Sequence, residues 1–95
     1  MRLISNRALR EFAALHPAAP AALQGWRRVI EANHFANWSE LRRTFNSVDK
    51  VGDRYVFNIG GNKYRLVASI RFEAQVLYVR AVLTHQDYDK GDWFS

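Results

Sequence analysis

Apolar residues recur at the spacing of helical turns in the first half of this chain, and from Val48 onward they recur at every second position. Leu9, Phe12 and Ala13 mark one stripe. Leu23, Trp26, Ile30 and Asn33 mark a second, widened by Val29. Beyond them Tyr55, Phe57 and Ile59 alternate with Arg54, Val56 and Asn58, which is the two-residue period of a strand. Helices followed by a run of strands imply an α+β fold, with the helices on one face of a small, mainly antiparallel sheet. The 95 residues suffice for one domain spanning 1–95.

Local signals set the expected boundaries. A short strand covers residues 1–5, with Leu3 and Ile4. Ser5 or Asn6 caps a helix that runs to about His16 and is stopped by Pro17 and Pro20. A second helix runs from about 18 to 33. Asn37-Trp38-Ser39-Glu40 reads as a capping box opening a third, which ends near Phe45. Gly60-Gly61-Asn62 is a hairpin turn, because glycine and asparagine tolerate positive φ. Strands at 63–72 and 76–84 follow, separated by a turn at Glu73-Ala74-Gln75. The tail from 85 to 95 is polar and aromatic without a clear period.

The bulk composition narrows the function. Hydrophobic residues make up 48% and aromatics 14%, enough for one core and unlike a disordered chain. The sequence has no cysteine, no apolar run of membrane-spanning length, and no signal-peptide core beside Arg2, Arg7 and Arg10, so a cytoplasmic location is expected. Fourteen Lys and Arg oppose nine Asp and Glu, for a net charge of +5. Eleven of the fourteen are arginine, whose planar fork donates two bonds at once to phosphate or carboxylate, so a nucleic acid or an acidic protein is the expected partner.

Sorting the strands by alternation gives the sheet two unlike faces. One collects Tyr55, Phe57, Ile59, Tyr64, Leu66, Ala68, Ile70, Phe72, Leu77, Val79, Ala81 and Leu83, and is expected to lie under the helices. The other collects Arg54, Val56, Asn58, Lys63, Arg65, Val67, Ser69, Arg71, Val76, Tyr78, Arg80, Val82 and Thr84. It holds five cations and no carboxylate. Strand-borne cations also discourage edge pairing. Like charges on one sheet face are nonetheless mildly destabilising, so their unmixed gathering points to phosphate binding, with Tyr78 available to stack on a base.

Of the three histidines, His16 and His34 stand near helix ends, where a cation suits the helix dipole. No His, Cys or carboxylate spacing builds a metal site, so neither metal nor other cofactor is expected. Gly60-Gly61 is not a phosphate loop, since no helix follows it. His85 stands where the last strand ends, beside the basic face, and histidine is suited to proton transfer near neutral pH. Metal-free RNA cleavage needs a base for the 2′-hydroxyl, an acid for the departing 5′-oxygen, and cations for the charge that builds on phosphorus oxygens. His85, Tyr88, Lys50 and Arg65 are the candidates, with base and acid unassigned between His85 and Tyr88.

The segments Tyr55-Val56-Phe57-Asn58-Ile59-Gly60-Gly61-Asn62-Lys63-Tyr64-Arg65-Leu66-Val67 and Tyr78-Val79-Arg80-Ala81-Val82-Leu83-Thr84-His85-Gln86-Asp87-Tyr88-Asp89-Lys90 resemble the HigB toxins of type II toxin–antitoxin systems, within the RelE/ParE-like superfamily. The likeness reaches the opening Met1-Arg2-Leu3-Ile4-Ser5 and the closing Asp92-Trp93. It implies a RelE-like fold and cleavage of mRNA, commonly on the ribosome. It also implies a HigA-like helix-turn-helix antitoxin as partner. Arg65 matches the arginine that RelE-like toxins place on the concave sheet for transition-state charge, and Thr84-His85-x-x-Tyr88 matches the family's terminal motif. Lys50 lies near the place where RelE carries paired lysines, but the second lysine is missing. RNA contacts are expected from Arg54, Lys63, Arg71, Arg80, Tyr78 and Lys90. The rival expectation is a ParE-like toxin that shares the fold, cleaves nothing and inhibits a protein such as gyrase.

Overall fold

The computed structural model describes residues 1–4 and 6–91. The capping role expected of Ser5 or of the Asn6 side chain, and the closing Asp92-Trp93, lie outside the described residues. The elements run β1 (Arg2–Ile4), α1 (Asn6–Leu15), α2 (Pro20–Ala32), α3 (Trp38–Thr44), β2 (Asp49–Val51), β3 (Arg54–Ile59), β4 (Tyr64–Arg71), β5 (Val76–Thr84) and α4 (His85–Asp89). The five strands form one sheet in the order β1-β5-β4-β3-β2. β1 runs parallel to β5, and the other neighbours are antiparallel. This is the expected α+β architecture, with β2 and α4 added.

Local chemistry explains most of the boundaries. Pro20 begins α2, where its missing N–H costs nothing. Asn37 caps α3 by accepting from the Glu40 backbone N–H at 3.0 Å, while the Glu40 carboxylate accepts from Ala36 N–H at 2.8 Å. Gly60 and Gly61 both adopt positive φ, 64° and 69°, and close the β3–β4 hairpin. The β4–β5 turn ends on Gln75 at φ 55°, a conformation more usual for glycine. Its side chain explains the exception. Gln75 Nε2 donates to Phe35 O at 2.6 Å and to Phe72 O at 2.8 Å, and Oε1 accepts from Phe35 N–H at 3.2 Å. The turn is thereby tied to the α2–α3 connection.

The core lies between the helices and one sheet face. Leu9, Leu23, Trp26, Ile30, Phe35 and Leu41 meet Phe57, Leu66 and Leu77, all buried. Trp26 and Phe45 each meet Phe57 in edge-on contacts, at 5.2 Å between ring centroids.

Two expectations about the faces are corrected. The β4–β5 pairing shifts register between Val67 and Ala68: Leu66 faces Val82, Val67 faces Ala81, and Ala68 faces Val79. Arg80 is the extra residue of this bulge, and alternation inverts beyond it. Ala81 and Leu83 consequently share the outer face with Val67 and Arg65, whereas Val82 packs against the core. Continuing the register set at Arg71–Val76 would leave Arg80 on the outer face opposite Val67 but would turn Ala81, in place of the larger Val82, toward the core. The second correction concerns β2. Asp49 pairs with Val56 and so stands on the outer face, which therefore does hold a carboxylate.

Candidate active site

Arg65 is the central group of the outer face. It lies on β4 between Asn58 of β3 and Leu83 of β5. Only 8% of its surface is exposed, which makes it the buried charged residue among those described. Nη1 donates to Asn62 O at 3.3 Å and Tyr64 O at 3.2 Å, and Nη2 donates to Asn62 Oδ1 at 2.8 Å. These acceptors are neutral, and no ion pair among the described residues includes Arg65. The hairpin turn thus holds the guanidinium still without cancelling its charge, an arrangement suited to an anionic ligand.

The end of the chain folds back over this group. Thr84 caps α4, its Oγ1 accepting from Asp87 N–H at 3.1 Å. The ring of Tyr88 lies 5.7 Å from the Arg65 guanidinium carbon. Burial raises the Tyr88 phenol above its ordinary value of 10.0; the Asp49 and Asp89 carboxylates add to the rise, and Arg65 opposes it. The phenol therefore keeps its proton at neutral pH.

His85 opens α4. Its backbone N–H donates to Lys63 O at 3.0 Å, extending the β4–β5 ladder by one step past Thr84, so that His85 begins close to the strand end that carries Arg65. His85 Nδ1 lies 3.0 Å from Asp89 Oδ2. With Nδ1 engaged by a carboxylate, Nε2 is left as the proton acceptor. His85 and Tyr88, three positions apart on one helix, lie on the same side of it.

The other candidates fall into three places. Arg54 and Arg80 meet at Ser69, and Tyr78 is the cross-strand partner of Ser69. Lys63 is exposed in the hairpin turn. Arg71 and Lys90 are exposed beside acids of their own segments, Arg71 Nε at 3.1 Å from Glu73 and Lys90 Nζ at 3.6 Å from Asp87. Lys50 is not brought to Arg65. It pairs with Tyr55, a core residue, and its Nζ lies 5.9 Å from the Tyr55 ring centroid on the helix side of the sheet. Among the described residues no group of three or more His, Cys, Asp or Glu is placed to hold a metal ion.

The α+β fold agrees with the family comparison. Residues 19–91 match the family described as HigB toxin, RelE-like toxic component of a toxin–antitoxin system. The chain belongs to the HigB toxin family. It is 37% identical over 92 residues to the mRNA interferase toxin HigB of Escherichia coli K12, covering 94% of this chain and 88% of that one. It matches the mRNA interferase HigB of Shigella flexneri to the same degree. A further mRNA interferase HigB, from Escherichia coli O6:H1, is 33% identical over 93 residues, with 95% and 90% covered.

Three groups at the site of this HigB-family chain were not singled out in the sequence. Asn62, seen there only as a turn former, is the residue that fixes Arg65. Asp89 is identifiable in hindsight by its i, i+4 spacing from His85, once a helix is assigned to the tail. Asp49 gave no local signal, because β2 is too short to show a period.

Proposed function

We propose that this HigB-family toxin is an endoribonuclease, an mRNA interferase that arrests translation by metal-independent cleavage. The observation that carries the reading is the buried Arg65 guanidinium, satisfied by neutral acceptors, under the Tyr88 ring of the helix that His85 opens. The names of its relatives, all mRNA interferases, support the same substrate.

In this reading the scissile phosphate rests on Arg65. Nε2 of His85, oriented by Asp89, takes the 2′-hydroxyl proton. The 2′-oxygen attacks phosphorus, the bond to the 5′-oxygen breaks, and Tyr88 donates its proton to that oxygen. The products are a 2′,3′-cyclic phosphate end and a 5′-hydroxyl end, with no water or metal consumed. Arg65 opposes the charge that gathers on the non-bridging oxygens. Lys63, Arg54, Arg80 and Tyr78 extend the surface along which the strand lies, and Arg71 and Lys90 join it at the cost of their ion pairs with exposed acids.

The finer assignments follow the family resemblance: cleavage on the ribosome, a cytoplasmic location, and neutralisation by a HigA-like helix-turn-helix antitoxin. No helix among the described residues is long and apolar enough to cross a membrane. The test is expression without the antitoxin. Growth should stop, translated transcripts should fragment, and untranslated ones should survive. Arg65→Ala and His85→Ala proteins that keep the wild-type circular dichroism spectrum should be harmless. Full toxicity in both variants, or intact mRNA beside damaged DNA, would overturn the reading.

A further inference from the structure

A second cationic group occupies the outer face, and the cleavage chemistry leaves it unused. Ser69 lies on β4 four residues beyond Arg65, on the same side of the sheet. At about 3.3 Å per residue the two are roughly 13 Å apart along the strand. Ser69 Oγ accepts from Arg54 Nη1 at 2.8 Å and from Arg80 Nε at 3.0 Å. Arg54 comes from β3 and Arg80 from β5, so guanidinium groups from the strands on either side converge on one hydroxyl. The Arg80 guanidinium also lies 5.3 Å from the Tyr78 ring centroid.

The charge gathered there is poorly matched. A hydroxyl cannot neutralise two cations. Asp53 approaches Arg54 at 3.7 Å from a side chain that is 87% exposed, and such pairs contribute little. Arg80 joins no ion pair among the described residues. Arg80 is moreover the bulge residue, the one position of β5 without a cross-strand partner on β4. Each guanidinium has five N–H donors, of which Ser69 engages one.

We propose that Arg54 and Arg80, held by Ser69, form a second phosphate subsite that grips a non-scissile internucleotide phosphate of the RNA. The inference rests on the RNA-cleaving reading and adds to it a binding register: the strand is held at two phosphates more than one nucleotide apart, with Tyr78 placed to stack on a base between or beyond them. Holding both side chains in place before binding lowers the entropy lost when the strand docks.

The test is RNA binding in a His85→Ala background, so that the strand is not consumed. Fluorescence anisotropy with a labelled single-stranded oligoribonucleotide is followed from about 50 to 200 mM salt. Arg54→Gln and Arg80→Gln should each weaken binding about tenfold, at any sequence, and lower the slope of log K against log salt by about 0.7. The double variant should lose about twice that slope. Arg28→Gln removes the same charge from an exposed position on α2 and should leave the slope alone. Unchanged slopes in the Arg54 and Arg80 variants would overturn the subsite, and the cleavage reading would stand if Arg65→Ala still abolished toxicity. Loss of antitoxin binding with RNA binding intact would also overturn it, assigning the pair to the protein partner. Failure of the His85→Ala protein to bind RNA would overturn both readings.

Discussion

The Arg65 guanidinium lies 5.7 Å from the centre of the Tyr88 ring, so the buried cation of β4 and the terminal helix hold each other in place. Contacts of this kind are worth about 0.5–2 kcal/mol, more as they are desolvated. Ring and hydroxyl can be separated by substitution. Tyr88→Phe keeps the ring over Arg65 and should retain more of the wild-type Tm than Tyr88→Ala, while cleavage falls by about 10²–10⁴-fold through loss of the proton donor. Tyr88→Ala removes the ring as well and should lower Tm. Thermal melts beside cleavage rates distinguish the two, and a fully active Tyr88→Phe protein would show that the phenol transfers no proton.

The raised phenol predicts an alkaline weakness. A group whose pKa is higher in the folded state holds its proton more tightly there. Its contribution is complete below the unfolded value, here 10.0, and is lost as pH climbs through the folded value. Burial raises Tyr55 in the same direction. Tm should therefore decline from about pH 10 upward, and the decline should be shallower in Tyr88→Phe, which leaves Tyr55 as the remaining phenol with a raised value. Melts across that range, beside the ultraviolet absorbance of phenolate, provide the measurement.

Thr84 positions both proton-transfer candidates through one hydrogen bond to the Asp87 backbone. Thr84→Ala should cost about 1 kcal/mol, within the range of about 0.5–2 for a lost cap. The effect should concentrate in α4. Amide exchange at Asp87 should accelerate, and toxicity should fall more than global stability does. Thr84→Ser should restore both.

Gln75 tests a balance of opposing effects. Replacing it with glycine relieves a left-handed backbone worth about 1–2 kcal/mol. It also removes three side-chain hydrogen bonds to Phe35 and Phe72, each worth about 1 kcal/mol net. The bonds should win, so Gln75→Gly should be destabilised by about 1–2 kcal/mol in urea titration. A more stable variant would show that strain, not bonding, dominates this turn.

Much of this protein was determined by the order of its residues alone. The change of period divided helices from strands, the two prolines ended the first helix, the Asn37–Glu40 box placed the start of the third, and Gly60-Gly61 placed the hairpin, because each signal depends on near neighbours. The cationic surface followed from the same alternation, and the family resemblance singled out Arg65 on it. Cross-strand partners decided the rest. The bulge at Arg80 inverts the alternation for Ala81, Val82 and Leu83, and nothing within β5 announces it, since it exists only in the pairing with β4. Pairing of β2 with β3 turns Asp49 outward and Lys50 toward Tyr55, in a strand of three residues with no period to read. The tail showed no pattern either, and its helix is fixed by the Thr84 cap and by Tyr88 resting on Arg65. Local spacing specified the elements; which side chains meet was settled by contacts between segments distant in the chain, where the burial of charge is decided.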